Sequence, residues 1–299
     1  MNLPWLEPIL TQWQAVQPAP QNTLLHGPAG MGGVELMEAM ARQLLCPQGG
    51  CGTCPACAML DAGTHPDLLR CTPEQGKKDI RVETIRDLNT WVYEAAHQSG
   101  AKVVLLWPAE AMNRSAANAL LKTLEEPPQD THFILLTHQL GALLPTIRSR
   151  CQLWRLPRPD AATALAWLQQ AMPQAEPEQL QTALAIHHGM PLAARAWLEN
   201  EGWKSYQAWR EQMNGLRRGQ KTLVDVAEAW SKWDVPQQAL DYFEMWCTRQ
   251  LHARPHDMAL HGLYTAIQEA RTALAGNANV QLTLERVLIH YLYPQEVDA

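Results

Sequence analysis

Along residues 1–157, short apolar runs alternate with stretches in which apolar residues return every three or four positions. Residues 23–26 read as a short apolar strand followed by a glycine-rich turn. Leu36, Met40 and Leu44 lie four apart, which predicts a helix over 34–45. The run KVVLLW at 102–107 predicts a buried strand, and HFILLT at 132–137 predicts another. Between them residues 115–124 predict a helix, stopped by Pro127 and Pro128. Strands separated by helices predict a parallel sheet covered on both faces.

After Pro157 and Pro159 the pattern changes and strand signals vanish. Residues 158–200 predict short helices, one ended by Gly189 and the next opened by Pro191. From 201 to 299 the chain again reads as all-helical. Pro236 is expected in the first turn of a helix carrying Leu240, Phe243, Cys247 and Leu251 on one stripe. Leu284, Val287, Leu288, Tyr291 and Leu292 mark the last helix. Eight Trp lie beyond residue 153 and are expected to fill helical cores and inter-subunit faces.

Composition narrows the picture. With 299 residues, 46% of them apolar, the chain can build two or three cored domains. Its net charge of −6 gives no sign of a basic nucleic-acid face. Arg210, Arg217, Arg218 and Lys221 form a loose basic stretch that reads as a solvated helix face. The start, MNLPWLEPILTQW, lacks the basic and cleavage regions of a secretory signal. No apolar run is long enough to cross a membrane. A soluble cytoplasmic protein is the expectation.

The glycine turn, HGPAGMGGV, follows a predicted strand and opens a predicted helix, as phosphate-binding loops do. Gly27 and Gly32 fall on the two glycines of G-x-x-x-x-G-K-[ST]. Gly33 and Val34 occupy the positions of the lysine and the hydroxyl, so the loop is degenerate. Without them it lacks the cation for the β- and γ-phosphates and the oxygen for Mg²⁺. The strand at 102–106 should end in a carboxylate if it served a nucleotide, but Trp107 and Pro108 follow it. Glu110 comes three residues too late and reads as an ordinary exposed carboxylate.

Cys46, Cys51, Cys54 and Cys57 give C-x4-C-x2-C-x2-C. Four thiolates within twelve residues, with Gly and Pro in the turns, suit a closed, structural tetrahedral zinc site in a reducing compartment. Iron–sulfur ligation uses related spacings, and free thiols are the third reading.

NALLKTLEEPP at 118–128, followed by Ser149-Arg150-Cys151, resembles the clamp-loader branch of the AAA+ family. His65-Pro66-Asp67 and Ile80-Arg81-Val82-Glu83 also fit that group. The degenerate loop with Ser-Arg-Cys is similar to one non-motor subunit of the bacterial DNA polymerase III clamp loader. The resemblance is strong over 20–157 and rests on helical layout beyond.

It implies a RecA-like AAA+ domain at 1–157 with a zinc module at 46–57, a helical lid at 158–200 and an all-α collar at 201–299. It implies no ATP in the chain's own site and no catalysis by the isolated chain. It makes Arg150 an arginine finger given in trans to a neighbouring motor subunit's ATP, and gives Arg148 no role. The family's lid arginine falls on Leu192, and Arg195 is out of register. The implied partners are the other subunits of a hetero-pentameric ring, with the sliding clamp and primed DNA contacted indirectly. The rival readings are an active motor ATPase of the same family and a zinc-module nucleic-acid binder.

Overall fold

The computed structural model describes residues 3–98 and 100–293. The chain forms two compact units, the first ending at Thr163 and the second beginning at Ala164.

Five strands build the first unit: β1 Asn22–His26, β2 Leu68–Cys71, β3 Lys102–Leu106, β4 Thr131–Thr137 and β5 Gln152–Arg155. All pair in parallel, in the order β2-β3-β4-β1-β5. Six helices accompany them: α1 Glu7–Gln14, α2 Gly33–Leu45, α3 Pro55–Asp61, α4 Val82–Tyr93, α5 Arg114–Glu125 and α6 Pro145–Arg148. Ile85 and Leu88 of α4 and Leu120 and Leu124 of α5 cover Val104, Leu106, Phe133 and Leu135 on one face. α2, with Leu36, Met37 and Met40 buried, packs on β3 and β4. Every residue of β3 is buried, which is why 103–106 reads as an unbroken apolar run; the buried Lys102 at its start donates from Nζ to Trp91 O.

The predicted strands and helices of this unit are present within two residues of their expected ends. Two strands were not expected. β2 is four residues long and holds Arg70, whose Nε and Nη2 donate to Glu38 of α2 at 2.7 and 2.8 Å. β5 is an edge strand with three exposed residues, so no apolar run announces it.

Eight further helices follow: α7 Ala161–Ala171, α8 Pro177–Ile186, α9 Pro191–Glu199, α10 Gly202–Arg217, α11 Leu223–Ser231, α12 Gln238–Ala253, α13 Met258–Ala275 and α14 Val280–Leu292. The second unit contains no strand among its described residues. Gly189 lies at φ +77° past α8, and Pro191 is the first residue of α9. Pro236 corrects the expectation. It sits in the turn before α12, and its carbonyl accepts from Ala239 N–H at 3.1 Å. No helix among the described residues is long and apolar enough to cross a membrane.

The tryptophans of this unit are mostly core. Trp230 and Tyr242 are fully buried, Trp209 stacks on Trp230 at 6.5 Å, and Phe243 meets Trp209 edge-on at 5.4 Å. Trp197 Nε1 donates to Tyr242 Oη at 3.1 Å. Trp230→Ala should cost about 3–5 kcal/mol, seen as a lower denaturant midpoint of the second unit; a midpoint unchanged within error would refute this packing. In the basic stretch, Arg210 pairs with Glu178 at 3.2 Å and Arg217 Nε bonds to Tyr291 Oη at 2.5 Å. Half of that stretch is thus engaged locally.

Candidate functional site

The turn carrying Ser-Arg-Cys joins α6 to β5. Arg150 is half-buried and fully engaged on one side. Its Nε donates to Glu125 Oε1 at 2.8 Å, and Nη2 reaches the same carboxylate. Nη1 donates to Thr146 O at 2.9 Å and to Ser149 Oγ at 3.3 Å. The backbone is fixed too: Asn22 Nδ2 donates to Arg150 O at 3.0 Å and to Leu124 O at 2.8 Å. Apart from Thr146 these residues, with Gln21 and Pro127, line an open hollow. The Cys151 thiol beside it is pushed up to about 12 by burial and is inert. Arg148, given no role, is also half-buried.

Asn22 is the first residue of β1, whereas the glycine loop leaves the strand after its last, His26. Four steps of about 3.3 Å separate the two ends. Arg150 is therefore anchored at the N-terminal edge of the sheet, and the loop lies at the C-terminal edge, where open α/β sheets bind ligands.

The loop keeps the expected shape, with Gly30 at φ +81° and Gly32 at φ +90°. Leucine side chains crowd three of its glycines, although Gly27 and Pro28 also border an open hollow with Arg155 and Arg158. A Cβ on Gly32 would meet Leu3 Cδ1 at 2.4 Å and Leu6 Cδ1 at 2.8 Å. A Cβ on Gly33 would meet Leu136 Cδ1 at 2.7 Å, and one on Gly27 would meet Leu156 Cβ at 2.8 Å. Trp5 Nε1 donates to Met31 O at 2.8 Å, so the N-terminal segment is tied to the loop. Val34 presents no oxygen at the start of α2.

At the end of β3 stand Trp107 and Pro108, neither able to hold a metal. Glu110 differs from its expected exposed state. It is half-buried, Oε1 accepts from His138 N–H at 3.0 Å, and Oε2 is buried without a protein partner. In the second unit Leu192 is apolar and half-buried, and Arg195 pairs with Glu199 at 2.7 Å on the outside of α9.

The four clustered cysteines come together. Cys46 caps the C-terminus of α2, Cys54 is the N-cap of α3, and Cys57 lies in its first turn. Gly49, Gly50 and Gly52, all at positive φ, turn the chain between them. All four sulfurs lie within 4.8 Å of one another. Cys46 Sγ is 3.7 Å from Cys51 Sγ and 3.6 Å from Cys54 Sγ. Thiolates about 2.3 Å from a tetrahedral metal are spaced about 3.8 Å apart, so the set fits such an ion. Backbone N–H groups of Cys51, Gly52 and Cys57 point at the sulfurs of Cys46, Cys57 and Cys54 at 3.3–3.5 Å. Hydrogen bonds from Thr53 bring the Cys51 thiol down to about 6. Cys54 receives the Cys57 N–H, yet burial and the neighbouring thiols push it up to about 11.

His65-Pro66-Asp67 has a structural use. The buried Asp67 carboxylate accepts from the N–H groups of His97 and Gln98 at 2.6 and 2.9 Å, holding the segment after α4. Sequence reasoning missed Leu3 and Leu6 as a filling of the loop, and Asn22 and Glu125 as partners of Arg150. Only Glu125, inside the LEEPP motif, carried any signal.

A parallel sheet of this order, a glycine loop after its β1 and an arginine turn at its opposite edge define a RecA-like AAA+ domain. The known proteins agree. The family model for DNA polymerase III, delta subunit, matches residues 8–160. DNA polymerase III subunit delta-prime of Pseudomonas aeruginosa is 43% identical over 248 residues, 81% of this chain and 75% of that protein. The same-named proteins of Yersinia pestis and Escherichia coli are 46% and 39% identical, covering 60% and 68% of this chain. Those two alignments span 55% and 62% of the relatives, less than two thirds of their length. A DNA polymerase III gamma subunit-related protein from Thermotoga maritima shares the fold, with a TM-score of 0.52 at 17% identity over 97% of this chain and 100% of that one. The chain belongs to the delta-prime family of DNA polymerase III.

Proposed function

We propose that this chain is a non-hydrolysing subunit of a cytoplasmic clamp loader, offering Arg150 to the ATP held by a neighbouring motor subunit. Its three parts are the AAA+ domain, a lid at 158–200 and a collar at 201–299 that joins a hetero-pentameric ring. The ring loads the sliding clamp onto primed DNA, which this chain contacts only indirectly. The four cysteines hold structural zinc.

The observation that carries this reading is the placement of Arg150 at the sheet edge opposite the chain's own loop, where its guanidinium cannot serve that loop. A guanidinium stays charged and clamps phosphate oxygens, which is what a site assembled between chains requires. The crowded glycines, the Trp107-Pro108 strand end and the missing lid arginine all support the absence of a nucleotide of its own. Zinc is supported by the sulfur spacing and the N–H groups aimed at the thiolates.

The mechanism gives this chain one task. Arg150 stabilises negative charge that develops on the transferring phosphoryl group, an interaction stronger in the transition state than before it. The neighbour binds the nucleotide and the metal ion; this chain supplies a fixed cation.

The isolated chain tests the first half. Neither Mg·ATP binding by calorimetry nor ATP turnover is expected. Gly33→Lys with Val34→Ser restores the two missing residue types, yet should still not bind ATP. The lysine must displace Leu136 and Leu156, and overpacking of this kind costs about 1–3 kcal/mol. Magnesium-dependent turnover by the unaltered chain would instead make it a motor subunit.

A further inference from the structure

We infer that, where Arg150 acts in trans as proposed above, Glu125 and Asn22 are its positioning residues. Neither touches the nucleotide. Together they fix the direction and the height of the guanidinium at the rim of the hollow.

Arginine has five N–H donors in a planar fork. Glu125 Oε1 takes the Nε–H at 2.8 Å and one hydrogen of Nη2. Thr146 O and Ser149 Oγ take those of Nη1 at 2.9 and 3.3 Å. One Nη2 hydrogen is left, and the Ser149 bond is the longest of the set. The distal edge of the fork is thus the part available to a phosphate. The Nε edge is held by a carboxylate at the C-terminal end of α5.

That carboxylate is itself located. Leu124 O belongs to the last turn of α5, whose carbonyls have no partner within the helix. Asn22 Nδ2 bonds to it at 2.8 Å and to Arg150 O at 3.0 Å. One amide on the first residue of β1 therefore sets the end of α5 and the arginine turn relative to each other. The Arg150 side chain is 30% exposed and that of Glu125 47%. Ion pairs this open add little to stability. Their value is orientation: a long, flexible side chain is ordered before the charge it must meet arrives.

The test is a double-mutant cycle in the reconstituted loader, reading clamp- and primed-DNA-stimulated ATP hydrolysis. Glu125→Ala should lower kcat about tenfold through misplacement of the cation, with KM for ATP nearly unchanged. Glu125→Gln, which keeps the acceptor, should recover part of the loss. Asn22→Ala should lower kcat in the same way. In an Arg150→Ala background neither Glu125→Ala nor Asn22→Ala should cost anything further. In the isolated, ¹⁵N-labelled chain the Arg150 Nε–H signal should be protected from solvent exchange and lose that protection in Glu125→Ala. This readout needs no partner subunit and reports the pairing alone. If Glu125→Ala costs as much with Arg150 absent as with it present, the positioning role is overturned. It is equally overturned if Glu125→Ala is silent while Arg150→Ala is not, and the finger then stands without its seat. An Arg150→Ala loader that hydrolyses ATP normally removes the finger itself.

Discussion

Arg150→Ala in the reconstituted loader should reduce hydrolysis at the neighbouring motor site by about 10³, the lower end of what such residues contribute in other NTPases. The ring should remain intact by gel filtration, because Arg150 contributes an exposed ion pair and no core contact. Clamp loading should fall with hydrolysis. Arg150→Lys should rescue poorly, since a point charge on a shorter, flexible stem does not reproduce a planar fork held on one edge by Glu125. ATP binding to the complex should change little, because the interaction strengthens only as charge develops on the phosphoryl group. Normal hydrolysis and loading by the Arg150→Ala ring would leave this chain as a structural member only.

Metal removal should have the second large effect. The purified chain is expected to carry one zinc ion, measured by mass spectrometry, and to be colourless. Visible absorbance with stoichiometric iron would replace zinc by an iron–sulfur cluster. Chelation or Cys51→Ser should unfold residues 46–61 locally, read as a large loss of amide protection there. β1, β3 and β4 should stay protected. The apparent free energy at stake is of the order of 10 kcal/mol in zinc-finger peptides at pH 7. Here it acts on a module whose four ligands lie within twelve residues. Release should become easier as pH falls, because each departing thiolate takes up a proton. Arg42 of α2 pairs with Asp61 at the end of α3, so the last turn of α2 should loosen with the module. Unchanged protection after complete metal loss would show that the cysteine turns fold without it.

Sequence pattern resolved the parts of this fold that are buried on both sides. β3 and β4 are apolar almost without interruption, and α2 and α5 carry the periodicity of helices with one covered face. β2 and β5 escaped notice for opposite reasons. Arg70 interrupts β2 and is made tolerable only by Glu38, 32 residues away in the chain. β5 leaves three of its four residues exposed at the sheet edge. The cysteine cluster was legible because its ligands are local. The seat of Arg150 was not, because Asn22 and Arg150 are 128 residues apart and a single Asn before a strand carries no pattern. The contact of Leu3 and Leu6 with Gly32 was hidden likewise. Two leucines in an amphipathic start say nothing about what they will cover.

The contact of those leucines with the glycine loop also bears on reversibility. A loop that had merely lost its lysine and hydroxyl would sit two substitutions from a working one. Here Leu3, Leu6, Leu136 and Leu156 occupy the space into which a Cβ on Gly27, Gly32 or Gly33 would grow. Each filled gap contributes to the folded state and makes the return path longer, since several residues would have to shrink before the first regained one helped. Packing of this kind works as a ratchet. It would make the lack of nucleotide binding proposed above a property of the fold rather than of two residues.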